Sequence, residues 1–230
     1  MRIDILTLFP MFFDSPLKVS IINRAVEHRK VELNVVNIRQ YAKGRHKTCD
    51  DRPFGGGPGM VMIAEPVYKA LKAVRKNKDT AVVLLTPQGE VYTQHHARMF
   101  TQKNQVVLIC GHYEGIDDRI RKYVTHEISV GDYILSGGES AALAVADSII
   151  RLIPGVVSNK ESVVHESFTD TTLDWPQYTR PRKWRGVSVP KVLLSGNHKH
   201  IETWRKKVSL ELTHDRRPEL LKKKSYKNIK

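Results

Sequence analysis

Apolar and polar side chains alternate from the first residues, Met1-Arg2-Ile3-Asp4-Ile5-Leu6, as they do in a strand with one covered face. Further on, Val82-Val83-Leu84-Leu85 and Val106-Val107-Leu108-Ile109 are unbroken apolar runs. Runs of that length suit strands covered by helices on both faces of a parallel sheet. Strands are predicted over Arg2–Leu8, Val31–Ile38, Thr80–Leu85, Gln105–Ile109 and Val124–Val130. Between them, helical patterns run over Val19–Arg29, Glu65–Lys76, Thr93–Gln102, a short Ile116–Lys122, and Glu139–Leu152. Strand–helix alternation at this rhythm predicts an α/β layer fold.

After Leu152 the texture changes. Ile153-Pro154-Gly155 closes a helix, and about 25 residues rich in Ser, Thr, Asp and Glu follow before Pro176, Pro181 and Pro190 punctuate the chain. The pattern divides the 230 residues into a body over 1–155, a linker over 156–179 and a mostly helical basic domain over 180–230, with a helix starting near Asn197. Charge follows the same division. The chain is +14 overall, yet 16 of its 38 Lys/Arg and only 4 of its 24 Asp/Glu lie from Arg180 onward, a local balance of +12. A folded cationic segment favours polyanions because it releases their condensed counterions, so nucleic acid is the first partner to consider. A second basic run, Lys43-Gly44-Arg45-His46-Lys47, lies in a loop of the body. A solvated, solubilising face is the plain alternative. No apolar stretch reaches membrane-spanning length, and the first residues lack a signal-peptide pattern, so the expected location is cytoplasmic. Two cysteines without CxxC spacing give no disulfide framework, and no Cys/His spacing predicts a metal site.

Ten of the 14 glycines fall between Gly55 and Gly138. Several sit just after predicted strands, in Thr86-Pro87-Gln88-Gly89, Gly111-His112-Tyr113-Glu114-Gly115 and Gly131-Asp132-Tyr133 through Ser136-Gly137-Gly138. Loops beyond the carboxyl ends of parallel strands are where open α/β sheets hold ligands, and glycine lets backbone approach one closely. No GxxxxGK[ST], GxGxxG or GxSxG is present, which excludes a P-loop, a dinucleotide fingerprint and a hydrolase elbow. Ser136-Gly137-Gly138-Glu139 also has the spacing of a helix capping box, a purely structural reading. The run Gly55-Gly56-Gly57-Pro58-Gly59 serves no predicted helix or strand and reads as a loop near a ligand.

Taken in order, Leu6-Thr7-Leu8-Phe9-Pro10, Gly55-Gly56-Gly57-Pro58-Gly59-Met60, Gly111-His112-Tyr113-Glu114-Gly115-Ile116-Asp117, Val130 through Glu139, Tyr178-Thr179-Arg180-Pro181 and Leu193-Leu194-Ser195-Gly196-Asn197-His198 resemble the bacterial tRNA (guanine-N1) methyltransferases that modify guanosine 37. The resemblance spans nearly the whole chain. It implies a homodimer with its active site at the subunit interface, and a SPOUT-type α/β fold with a parallel sheet and a trefoil knot. It also implies S-adenosylmethionine held in the knotted loops. That donor is expected at Leu84, Leu85, Thr86, Pro87 and Gly89, at Gly111, Tyr113, Glu114 and Gly115, and at Val130, Gly131, Asp132, Tyr133, Ile134, Leu135, Gly137 and Gly138. Tyr113, Tyr133 or Glu114 is then a candidate for meeting the donor's sulfonium charge.

Methylating guanine N1 requires removal of its proton, for which a carboxylate is the natural base. The linker offers Glu161, Glu166, Asp170 and Asp174, which as residue types equally suit an acidic surface loop. Aligned on Ser167-Phe168, the family's catalytic aspartate falls on Glu166, a departure that keeps the carboxylate and adds a methylene. Asp170 is a second candidate. The family's Gly-Leu-Leu reads Thr171-Thr172-Leu173 here, Asp174 matches an acidic residue near the guanine, and Arg151 matches an arginine suited to the O6 charge, a structural ion pair being its plain alternative. Mg²⁺ is another candidate for that O6 charge. The readings that compete are an RNA-binding protein without catalysis, a nucleotide hydrolase or synthetase, and an RNA methyltransferase of the same fold with a different base specificity.

Overall fold

The computed structural model describes residues 1–157 and 166–227. The chain divides into two compact units, Met1–Ser158 and Asn159–Lys230. The first is built on β1 (Arg2–Thr7), β2 (Glu32–Asn37), a small antiparallel pair β3 (Asp50–Asp51) and β4 (Val61–Met62), β5 (Ala81–Val91), β6 (Gln105–Cys110) and β7 (His126–Ser129). Its helices are α1 (Ser20–Glu27), α2 (Ala64–Val74), α3 (Gln94–Thr101) and α4 (Glu139–Ile150), with a 3₁₀ helix over Asp118–Tyr123 where a short α-helix is expected. Five strands form one sheet in the order β2-β1-β6-β5-β7, every neighbouring pair parallel. This mixed α/β architecture with a parallel five-stranded sheet agrees with the alternation in the sequence.

Both faces of the sheet are buried, and the apolar runs supply both at once because successive side chains point to opposite sides. Val106, Leu108 and Cys110 of β6, with Ala81, Val83 and Leu85 of β5, pack with Phe100 of α3 and Ala142, Val145 and Ile149 of α4. Their alternates Val107, Ile109, Val82 and Leu84 pack with Val67, Ala70 and Leu71 of α2 and with Ile120. The exception on the second face is Asp4, fully buried at the amino end of β1. Arg2 donates to its carboxylate through Nη2 at 2.7 Å, and Gln105 through Nε2 at 2.7 Å. Gln105 also donates to the Val74 carbonyl and accepts from the Thr80 hydroxyl, so a single amide ties β1, α2 and β5 together where the sheet begins. Buried polar groups need such partners, since each one left unpaired costs about 1–3 kcal/mol.

The second unit carries a two-residue hairpin, β8 (Lys183–Trp184) and β9 (Val187–Ser188), a 3₁₀ turn over Lys191–Leu194, and helices over His198–Arg216 and Pro218–Lys227. Asn197 begins the long helix, its side-chain oxygen accepting from the His200 N–H at 3.2 Å. Inside that helix the Thr213 and Ser209 hydroxyls grip the backbone of Leu173, one accepting from its N–H at 2.9 Å and the other donating to its carbonyl. The segment after Glu166 is thereby fastened to the basic helix. No helix among the described residues is long and apolar enough to cross a membrane.

Candidate active site

The carboxyl ends of β5, β6 and β7 meet around one cavity of about 420 Å³, within the range of small-molecule sites. Its first wall comes from an interruption of β5. That strand pairs with β7 through Val83–Leu85, loses register, and pairs again with Glu90 opposite Ile128 and Val91 opposite Ser129. Thr86-Pro87-Gln88-Gly89 are the residues thrown out between the two pairings, and proline suits such a place because it has no N–H to give the ladder. Leu84, Leu85, Thr86 and Pro87 line the cavity. Gly89 does not: a Cβ there would lie 2.4 Å from the backbone of Glu127 and Ile128, so its small size serves the close return of β5 to β7.

The second wall is Gly111–Gly115, where β6 ends. Glu114 N–H donates to the Met60 carbonyl at 2.9 Å and Met62 N–H to the Gly115 carbonyl at 2.9 Å, which joins this loop to the glycine-rich segment leading into β4. Gly59 lies directly against Glu114, which lines the cavity. The third wall runs from Val130 to Gly138. Gly138 N–H donates to the Gly111 carbonyl at 2.9 Å, and a Cβ on Gly138 would stand 2.7 Å from Cys110 Cα. Only glycine lets these two loops lie backbone against backbone. Gly111, Tyr113, Glu114, Gly115, Val130, Gly131, Tyr133, Ile134, Leu135, Gly137 and Gly138 all line the cavity, while Asp132 does not.

Beneath the glycines lies a polar chain that the spacing of residues does not announce. Glu139, 4% exposed, accepts from the Thr7 hydroxyl at 2.5 Å and pairs with His112 Nε2 at 2.6 Å. Phe9 N–H in turn donates to the Thr7 oxygen, and the Phe9 and His112 rings lie 4.6 Å apart. The capping box expected over Ser136–Glu139 does not form. Gly138 occupies the N-cap without a side-chain hydrogen bond, and Glu139 turns inward to join the ends of β1 and β6 to the start of α4. Burial pushes the Cys110 thiol far above its ordinary value, with the nearby Glu139 carboxylate adding to the rise, so Cys110 is no nucleophile. Gln88 and His112, which lie in the glycine-rich loops but not among the residues assigned to the donor, also face the cavity, as do Asp118 and Arg121, which no reading of the sequence placed there. Arg121 bridges the Glu127 carboxylate and the Gln88 amide, contacts set by the β5 interruption and therefore invisible along the chain.

Of the candidate catalytic groups, Arg151 sits at the C-cap of α4, its N–H donating to the Asp147 carbonyl at 3.0 Å. Glu166, Asp170 and Asp174 belong to the second unit, and Glu161 lies outside the described residues. Glu166 opens a tight loop in which its carbonyl accepts from Thr169 N–H at 3.1 Å, and Phe168 N–H donates to the Thr172 carbonyl at 2.8 Å. Thr171 takes a left-handed φ of 62° that a β-branched residue rarely adopts and that glycine would adopt freely. Asp174 accepts from Trp175 N–H at 2.8 Å, and its own N–H donates to the Ser167 hydroxyl at 2.9 Å. Among the described residues no cluster of three His, Cys, Asp or Glu is placed to hold a metal ion.

Parallel strands ending at a glycine-walled cavity define an α/β protein of the class whose ligands bind beyond the carboxyl ends of the sheet. Comparison with known proteins makes the family specific. A family model described as "tRNA (Guanine-1)-methyltransferase TrmD" matches residues 1–223, and the chain belongs to that family. It is 50% identical over 223 residues to the tRNA (guanine-N(1)-)-methyltransferase of Caldanaerobacter subterraneus subsp. tengcongensis, covering 97% of this chain and 92% of that one. To the protein of the same name from Carboxydothermus hydrogenoformans it is 52% identical, covering 96% and 88%. To that of Staphylococcus epidermidis it is 50% identical over 222 residues, covering 96% and 91%.

Proposed function

We propose that the chain transfers the methyl group of S-adenosylmethionine to N1 of guanosine 37 in tRNA. The family to which it belongs is one of tRNA guanine-N1 methyltransferases, and its relatives carry that activity in their names. The observation that carries the finer reading is the cavity itself. Its walls come from three carboxyl-edge loops and include Leu84, Ile134 and Leu135, a mixed polar and apolar lining suited to adenosine and a methionine tail. The trefoil knot belongs to the same proposal, supported by membership of the family whose resemblance implied it.

The donor supplies an electrophilic methyl on a sulfonium. The Gly111–Gly115 and Val130–Gly138 loops bind and orient it, and the Thr7–Glu139–His112 chain holds those loops in register. N1 of guanine carries a proton at neutral pH and becomes nucleophilic when a carboxylate removes it. Glu166 is assigned that base role, with Asp174 beside the guanine and Arg151 meeting the negative charge that grows on O6. Body residues 1–155 serve the donor, the linker 156–179 the proton, and the basic residues 180–230 the RNA. Two copies complete the site, a reading supported by the exposed Phe9, Met11 and Phe12 on the body.

The test is nucleoside mass spectrometry on unmodified tRNA incubated with the protein and S-adenosylmethionine. 1-Methylguanosine at position 37 is expected, and its absence overturns the reading. Glu166→Gln is expected to lower turnover by about 10²-fold or more, the usual size of a general-base contribution, with donor binding intact. Normal turnover in that variant moves the base role to Asp170 or Asp174.

A further inference from the structure

The motif Tyr178-Thr179-Arg180-Pro181 and the hairpin that follows it have no role in the chemistry above. From Trp175 to Ile201 the chain has six Lys/Arg and no Asp or Glu. In the middle of this acid-free stretch stands the β8–β9 ribbon, closed at its base by Val189 N–H donating to the Arg182 carbonyl at 2.9 Å. Its turn is Arg185-Gly186, with φ of 47° and 87°, both central residues in the left-handed region that a tight two-residue hairpin requires. Every residue from Pro181 to Ser188 is exposed. Trp184 pairs across the ribbon with Val187, so the two share one face, and they are 62% and 70% exposed. The Arg185 guanidinium lies over the Trp184 ring, 5.0 Å from its centroid. Arg182 and Val189, at the foot of the ribbon, also line a hollow shared with Tyr178, Arg180 and Leu193.

A short ribbon buries too little to justify itself as a core element. What it presents is a tryptophan already stacked on one arginine and flanked by three more cations, with no carboxylate in reach along the chain. Unpaired nucleobases stack on such aromatic and guanidinium planes, and phosphates supply the missing negative charge. We propose that the ribbon docks tRNA, with Trp184 stacking on an unpaired base while Arg180, Arg182, Lys183 and Arg185 meet the flanking phosphates. The inference rests on tRNA being the substrate, and it names which residues of the basic unit read it.

Two full-length variants test it, Trp184→Ala and Arg182→Gln, with Trp184→Phe as the conservative control. Equilibrium binding of unmodified tRNA and the kinetics of its methylation are measured over a salt series. Trp184→Ala is expected to weaken tRNA binding and raise the KM for tRNA by about tenfold, within the range for one base–aromatic stack. Turnover at saturating tRNA and the salt slope stay near wild type, and Trp184→Phe recovers most of the affinity. Arg182→Gln is expected to lower the salt slope by about one, the signature of one lost phosphate contact. Unchanged tRNA affinity in Trp184→Ala, or a fall in turnover with KM unmoved, overturns the proposal. A wild type that binds tRNA without methylating it counts against the proposed activity instead, and leaves the binding measurement to decide on the ribbon.

Discussion

Glu139 has the sequence spacing of a helix cap and the structural position of a tie-rod. The difference lies in what surrounds the first turn of α4. Gly137 and Gly138 bring that turn so close to β6 that the Glu139 side chain meets Thr7 and His112 before it can reach back to its own N-terminus. Its removal therefore costs more than a cap, which is worth about 1 kcal/mol. Glu139→Ala is expected to lower unfolding stability by about 2–4 kcal/mol in a urea titration, because two hydrogen bonds to a buried carboxylate vanish and the His112 ring loses its partner. A loss of the size of a cap alone would return Glu139 to a local role. Thr7 and His112 stand 105 residues apart in the chain, and no periodicity connects them. The glycines of the same loops were legible because a strand followed by clustered glycine has a local meaning.

At the scale of elements, the five strands and their helices were readable to within a few residues, since each apolar run feeds two cores at once. What the pattern hid is the length of β5. Its apolar part stops at Leu85, yet the strand resumes after a four-residue interruption and pairs with β7 a second time. The second pairing is held by backbone, and backbone carries no hydropathy. Gly89 is the residue that permits it. Gly89→Ala is expected to destabilise the protein by about 1–3 kcal/mol, as overpacking does, and to weaken donor binding because the displaced Ile128 lines the cavity. Unaltered thermal midpoint and donor affinity would mean that β7 yields freely at this point. Similarly, the proline-punctuated stretch from Pro176 to Pro190 reads as loop, whereas Arg185-Gly186 folds it into a ribbon too short for an alternating pattern to register.

The stability of the whole molecule carries a pH dependence that begins at the edge of the sheet. Burial beside Phe100, the chief cause, lowers the pKa of His126 below its ordinary 6.5, and electrostatic interaction with His96 and Lys103 adds to this against the opposing pull of Glu90. The unfolded chain then takes up the proton at a higher pH than the folded one. This contribution to stability is whole above pH 6.5 and is lost as the pH falls from there through the folded-state value. His126→Leu is expected to flatten the decline in urea midpoint between pH 7.5 and 5, a window set by about one histidine titration. An identical decline in both proteins would place the acid sensitivity elsewhere. The sequence by itself determined the α/β class, the strand order of events along the chain, the cationic second unit and most residues of the cavity, because hydropathy period, charge and glycine clustering are local quantities. Tertiary structure alone decided that Glu139 points inward, that β5 returns to β7, and that Arg121 reaches the cavity. Each of those depends on which distant backbone arrives alongside, and a parallel sheet sets that through crossovers whose registers leave no mark in the neighbouring residues.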